Sequence, residues 1–292
     1  MKSIAVIGSG TMGTGIAQVF AQRHYKVVLI DSNEEALERS KRTIEKSLDI
    51  QISKELISLE DKESTLNHLI LSSDLHFINS STDLVIEAIT ERLEVKQDVF
   101  KQMDQLSGPH TILASNTSSI SIHKLSEVTS DPSRVIGMHF MNPVPRMPLV
   151  EIIQSKSTDV SIVDQIVQLT NDLDKIPVVV NDHPGFVSNR ILMPMINEAI
   201  ECLGDDVATV DGIDQVMKLG MSHPMGPLFL ADLIGLDVCK FILDVLYKEL
   251  HKEKYKSHQL LDQLVSEGHL GRKTNRGFYD YTNPKNPKPI SF

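Results

Sequence analysis

At 292 residues the chain exceeds the roughly 100–200 residues of an ordinary domain, so it holds one large domain or two ordinary ones. With 41% hydrophobic and 23% charged residues it is not a chain too polar to offset its ordering entropy, and disorder is excluded as the main state. A net charge of -10 without any dense Lys/Arg run argues against nucleic acid as a partner.

No apolar window approaches the roughly 18 residues of a membrane-spanning helix, so no membrane partner is expected. The apolar start is short and has only Lys2 before it, unlike a signal peptide. Cys202 and Cys239 lack metal-ligand spacing, so neither a metal nor a disulfide is expected, and sparse cysteine suits a reducing, cytoplasmic setting.

Along the chain, Ser3–Ile7 reads as a strand buried on both faces, as in parallel sheets. Ile16, Val19 and Phe20 have helical spacing, and Val27 to Ile30 forms the next strand, completing one βαβ unit. Ser32-Asn33 followed by Glu34 and Glu35 resembles a helix start, and a charged helix runs to about Leu48. Apolar runs at Leu84 to Ile89, Ile112 to Ala114, Val135 to Met138, Leu149 to Ile153 and Pro177 to Val180 alternate with polar helical stretches. Such alternation predicts an α/β, Rossmann-like doubly wound sheet, mainly parallel.

Past residue 183 no comparable strand run occurs, so residues 1–183 form the sheet domain and 184–292 an all-helical one. Ile191, Met195, Ala199 and Cys202 recur at helical spacing, as do Leu233, Leu236, Cys239 and Leu243. The tail Asn283 to Pro289 carries little regular structure.

Gly8-Ser9-Gly10-Thr11-Met12-Gly13 fits G-x-G-x-x-G between a strand and a helix, with Asp31 ending the next strand. One glycine turns tightly, one lets backbone approach a pyrophosphate, and one packs helix on strand, with the helix N-terminus facing the anion. Asp31 suits a ribose hydroxyl and repels a 2'-phosphate; Ser32 and Asn33 offer no cation, so NAD is favoured over NADP. A purely structural glycine turn is the competing reading.

Ser115 to Ser119 follow an apolar run, at what should be a strand's carboxyl end, where open α/β sheets bind ligands. An ordinary polar loop with a helix N-cap fits the same residues. His139 ends another run, before Asn142-Pro143-Val144-Pro145, whose prolines stiffen the loop. Glu151 sits within an apolar strand, where an unpaired charge costs several kcal/mol; a histidine partner would have its tautomer fixed and its imidazolium stabilised. An edge-strand Glu facing water is the alternative. Asn189 lies at the junction of the two halves, where clefts tend to form, and also reads as a helix-start residue.

Together with Glu87-Ala88-Ile89, Gly137-Met138-His139-Phe140, Leu149-Val150-Glu151, Pro184-Gly185-Phe186, Asn189-Arg190, His223 to Pro227 and Ala231 to Asp237, these motifs resemble the L-3-hydroxyacyl-CoA dehydrogenase family, almost end to end. Within it the likeness is to the bacterial 3-hydroxybutyryl-CoA branch. The resemblance implies His139 as general base toward a substrate 3-hydroxyl, Glu151 as its orienting partner, and Ser118 and Asn189 as polar groups around the reacting oxygen. It implies NAD contacts at Ser118, Asn142, Glu91, Lys96 and Lys273, beside the glycine motif and Asp31. It also implies acyl-CoA contacts at Ser47, Lys54 and Ser118, and a homodimer through the C-terminal helices. Asn275 stands where the family has Gly in a Lys-Thr-Gly-x-Gly-Phe-Tyr tail, at a turn where Gly tolerates φ > 0 more readily.

The implied reaction is NAD-dependent oxidation of an (S)-3-hydroxyacyl-CoA to the 3-ketoacyl-CoA, and its reverse. Two rivals remain at this level: a dehydrogenase of free hydroxy acids or sugar acids, and a non-catalytic dinucleotide-binding protein.

Overall fold

Short runs rich in Val, Ile and Leu become strands covered on both faces, and the polar stretches between them become the covering helices. The computed structural model describes residues 1–292, and the chain divides into two units, Met1–His183 and Pro184–Phe292.

Unit 1 runs β1 (Ser3–Ile7), α1 (Thr11–Gln22), β2 (Lys26–Ile30), α2 (Glu34–Ser53), α3 (Leu59–Asn67), β3 (Leu69–Ser72), β4 (Leu84–Glu87), α4 (Leu93–Leu106), β5 (Ile112–Ser115), α5 (Ile122–Ser126), β6 (Val135–Phe140), β7 (Leu149–Gln154), α6 (Val160–Asp172) and β8 (Ile176–Asn181). The eight strands form one sheet in the order β3-β2-β1-β4-β5-β6-β7-β8. Every neighbouring pair is parallel except β6 and β7. The order in which the chain adds strands reverses between β1 and β4, the switch point at which doubly wound sheets open a ligand crevice.

Asn33 caps α2, its side chain accepting from Ala36 N at 3.1 Å, with Glu34 and Glu35 in the first turn. The helix passes Leu48 and ends at Ser53. β3 has no counterpart in the sequence reading. It is a four-residue edge strand, half exposed, that follows α3 without Gly or Pro punctuation, so neither period nor breaker marks it.

Unit 2 contains α7 (Ser188–Gly204), α8 (Val210–Gln215) with a π-turn over Val216–Gly220, α9 (Pro227–Ile234), α10 (Leu236–Leu250) and α11 (Gln259–Ser266). It is not wholly helical: β9 (Tyr279–Asp280) and β10 (Lys288–Pro289) pair antiparallel, which also gives the tail a regular element. The buried apolar face of α7 is Met193, Ile196, Ala199, Ile200 and Leu203; of the expected stripe Ala199 is buried, Met195 and Cys202 are half-buried and Ile191 is exposed, so the stripe sits at the edge of the true face. Leu233 belongs to α9 and the rest of its expected stripe to α10, because Gly235 at φ +106° breaks the helix between them. Asp214 accepts from the N–H groups of Leu228 and Phe229 at 2.9 Å in the first turn of α9. Asp232 accepts from Phe278 and Tyr279 N–H at 2.9 Å, anchoring the tail to the helices.

Candidate active site

Gly8, at φ +100°, ends β1; a Cβ there would stand 2.6 Å from Ala88 O, so the turn lies hard against the end of β4. A Cβ on Gly13 would meet Gly8 O at 1.8 Å, whereas around Gly10 nothing lies within 4 Å. The three glycines thus divide the work: two are required by packing, and the middle one keeps the approach to the N-terminus of α1 open. Gly10 caps α1 without a side-chain hydrogen bond, leaving first-turn N–H groups for an anion.

Asp31 takes Ser9 N at 2.7 Å and Ser9 Oγ at 2.8 Å on Oδ2, and Asn33 N at 2.9 Å on Oδ1. Burial pushes its carboxyl up, but these bonds and the Arg39 charge hold it below the ordinary value. A cavity of about 730 Å³ joins Ser9, Gly10, Thr11, Asp31, Arg39, Ser47 and Asn142. Arg39 is a cation that inspection of the residues next to Asp31 does not reveal; it lies 3.8 Å from Glu35. Lys54, at the end of α2, is exposed and outside this cavity's lining.

At the carboxyl ends of β4 and β5 stands a buried polar ring. Glu87, fully buried, accepts from Lys96 Nζ at 2.6 Å, Ile89 N at 2.7 Å and Ser115 Oγ at 2.7 Å. Ser115 Oγ accepts from Thr117 N at 3.1 Å, and Thr117 Oγ1 donates to Glu91 at 2.6 Å. Glu91 lies 3.3 Å from Lys96, closing the ring. Glu91 also accepts from Ser118 N at 2.9 Å, Ser119 N at 3.0 Å and Ser119 Oγ at 2.9 Å. Burial raises its carboxyl, and the Lys96 charge with these hydrogen bonds brings it below the usual range.

One strand further, His139 of β6 lies directly opposite Glu151 of β7 in the antiparallel register. His139 Nδ1 is 2.8 Å from Glu151 Oε2, and both side chains are buried. Glu151 is therefore interior, paired with the imidazole, and its strand is not an edge. A carboxylate accepts, so the contact puts the proton on Nδ1 and directs proton exchange to Nε2. Phe140 N donates to Asn116 Oδ1 at 2.9 Å, and Asn116 N donates to Glu87 O at 2.8 Å, so Asn116 ties the His139 strand to the polar ring.

In unit 2, Asn189 is buried in the first turn of α7, and Lys273 pairs with Asp237 at 2.5 Å. Asn275 adopts φ +60°, the left-handed conformation its position requires and that Asn accepts at modest cost.

Sequence reasoning placed Ser115 to Ser119 at a ligand-binding strand end but gave an individual role to Ser118 alone, and it gave none to Glu87. The argument that singles out Glu151 applies unchanged to Glu87, an acid ending the apolar run Leu84 to Ile86.

A doubly wound sheet with a glycine-rich turn at its switch point and a His-Glu pair two strands beyond β4 defines a dinucleotide-dependent oxidoreductase. The chain belongs to the 3-hydroxyacyl-CoA dehydrogenase family, matching its NAD binding domain over residues 3–183 and its C-terminal domain over 185–281. It is an oxidoreductase of that family, and its cofactor is NAD. A Bacillus subtilis protein named "Probable 3-hydroxybutyryl-CoA dehydrogenase" is 48% identical over 96% of this chain and 98% of its own length. A Clostridioides difficile 3-hydroxybutyryl-CoA dehydrogenase is 46% identical over 95% of this chain and 99% of its own. The crystal structure of (S)-3-hydroxybutyryl-CoA dehydrogenase from Ralstonia eutropha superposes with a TM-score of 0.92 at 45% identity, covering 95% of this chain and 98% of that one. No helix is long and apolar enough to cross a membrane.

Proposed function

We propose that the protein oxidises (S)-3-hydroxybutyryl-CoA to acetoacetyl-CoA and runs the reverse reduction, with His139 as general acid/base and Glu151 as its orienting partner. The observation that carries this is the 2.8 Å His139–Glu151 contact in direct cross-strand register, near the switch-point crevice. When bound, NAD supplies the chemistry of accepting a hydride from C3 of the substrate. His139 Nε2 takes the hydroxyl proton as the C3–O bond becomes a carbonyl, and Glu151 stabilises the imidazolium that results.

The open space at Gly10 and the carboxylate of Asp31 fit a pyrophosphate and an adenosine ribose. On this reading Glu91, Lys96, Ser118 and Asn142 hold the nicotinamide half, with Lys273 as a further contact. Ser118 and Asn189 surround the reacting oxygen, and Ser47, Lys54 and Ser118 meet the CoA moiety. Residues 1–183 bind NAD, and 184–292 carry substrate-contacting residues and dimerise. The Nε2 assignment, the names of the relatives and the sparse free cysteines together support a cytoplasmic acyl-CoA enzyme.

The test is a spectrophotometric assay of the purified protein. Loss of NADH absorbance on adding acetoacetyl-CoA, and none with free acetoacetate, supports the proposal. Turnover of the free acid at equal efficiency would move the protein to the hydroxy-acid class, and no turnover of either would end the assignment.

A further inference from the structure

We propose that Glu87, Lys96 and Glu91 form a fixed, net-negative charge cluster that makes the site favour the cationic oxidised nicotinamide over the neutral reduced one, with Glu87 as the positioning residue that locks it. The inference rests on the reading that NAD spans the switch-point crevice. Asp31, ending β2, belongs to the half of the sheet that receives the adenosine ribose. The other mononucleotide therefore lies over the ends of β4 and β5, where the cluster stands. The glycine turn touches that same strand end at Ala88.

Two carboxylates and one ammonium leave one negative charge. Both oxygens of Glu87 are committed as acceptors: Oε1 takes Lys96 and Ile89 N–H, and Oε2 takes the Ser115 hydroxyl. The Ser115 hydrogen points to Glu87 because its own oxygen already accepts from Thr117 N. A protonated Glu87 has no acceptor for its hydrogen in this set, so the arrangement fits the ionised form. Glu91 accepts five hydrogen bonds from Thr117, Ser118 and Ser119, and faces the Lys96 charge. Lys96 and Glu87 are 1% and 0% exposed, which keeps water from screening the pair. The hydrogen-bonded ring fixes all three charges before a cofactor arrives, so little reorganisation offsets their field.

Moving from NAD+ to NADH removes one positive charge from the ring that the cluster faces. Binding of the two forms to the full-length protein is compared by NADH fluorescence titration and by calorimetry with NAD+. In Glu87→Gln and in Glu91→Gln, the ratio of the NAD+ to the NADH dissociation constant rises about tenfold, because one negative charge is lost. In Ser115→Ala, which cuts the ring without altering charge, both constants shift together and the ratio stays within about twofold. Equal weakening of both forms in the carboxylate variants overturns the proposal, as does a ratio change in Ser115→Ala matching that in Glu87→Gln. Should Glu87→Gln fail to fold, the partly exposed Glu91 decides alone. A wild-type protein that bound neither form would instead overturn the NAD reading beneath it.

Discussion

His139 Nδ1 and Glu151 Oε2 meet at 2.8 Å, and the proposed roles of the two can be separated by substitution. Replacing His139 with Gln preserves volume and removes the base. Turnover is expected to fall by at least about two orders of magnitude, with NADH affinity within about twofold, by steady-state kinetics and fluorescence titration. Glu151→Gln leaves the imidazole but removes its counter-charge. The imidazolium then forms less readily, so the acid limb of the pH-rate profile for alcohol oxidation moves to lower pH. An unmoved limb at full activity would separate Glu151 from the chemistry. Both residues were legible in the sequence, one as a strand-ending histidine and the other as an acid in an apolar strand. The rotamers that join them were not, since pairing depends on register across β6 and β7.

The glycine turn shows how one element carries two kinds of constraint. Gly10→Ala adds a methyl group to open space at an ordinary φ of -67°. The melting temperature should therefore stay within about 2 °C, while NAD binding weakens at least about tenfold as the methyl occupies the anion's approach. Gly13→Ala drives a methyl group into the backbone oxygen of Gly8. It should destabilise the fold itself by about 3 kcal/mol or more, seen in denaturant unfolding. The reverse pattern would mean that the turn is structural only. Seven of the eight strands of unit 1 were readable as apolar runs, the inner ones because burial on both faces leaves a continuous signal, and the exposed edge strand β8 because Val178 to Val180 are β-branched. β3 escaped because it is four residues long and follows α3 with no Gly or Pro to mark its start. Leu236, Cys239 and Leu243 of α10 are buried as read, but the phase of α7 was only partly right and Leu233 of α9 is exposed. These helices are apolar on more than one face, and periodicity alone cannot say which face the core takes.

At the scale of the whole molecule, unit 2 bears on stability and on the proposed dimer. Burial pushes the Asp232 carboxyl up to about 6, above its value in an unfolded chain. A raised carboxyl stabilises the fold below about pH 4, and that contribution, about 3 kcal/mol, is lost as pH rises through about 6. Asp31 and Glu91 are held low instead, so their contribution is lost only at more acid pH, and the two windows are distinct. Asp232→Asn should flatten the difference in unfolding free energy between pH 5 and pH 7, measured against wild type by denaturant titration. An unchanged difference would show that the group titrates normally. Ile191, Val216, Leu219 and Met221 of unit 2 are each more than half exposed, an apolar surface that the proposed homodimer would cover. Sedimentation should show a dimer at micromolar concentration, and a monomer would refute that reading.

Direct opposition of base and acid across two antiparallel strands makes their partnership a matter of parity. A slip of one residue carries the carboxylate to the other side of the sheet, and a slip of two returns it about 7 Å away, beyond an imidazole nitrogen. Intermediate settings do not exist. Variants that strain β7 should therefore split into those with an intact pair and those with none, and a graded loss of turnover must have its origin elsewhere in the molecule.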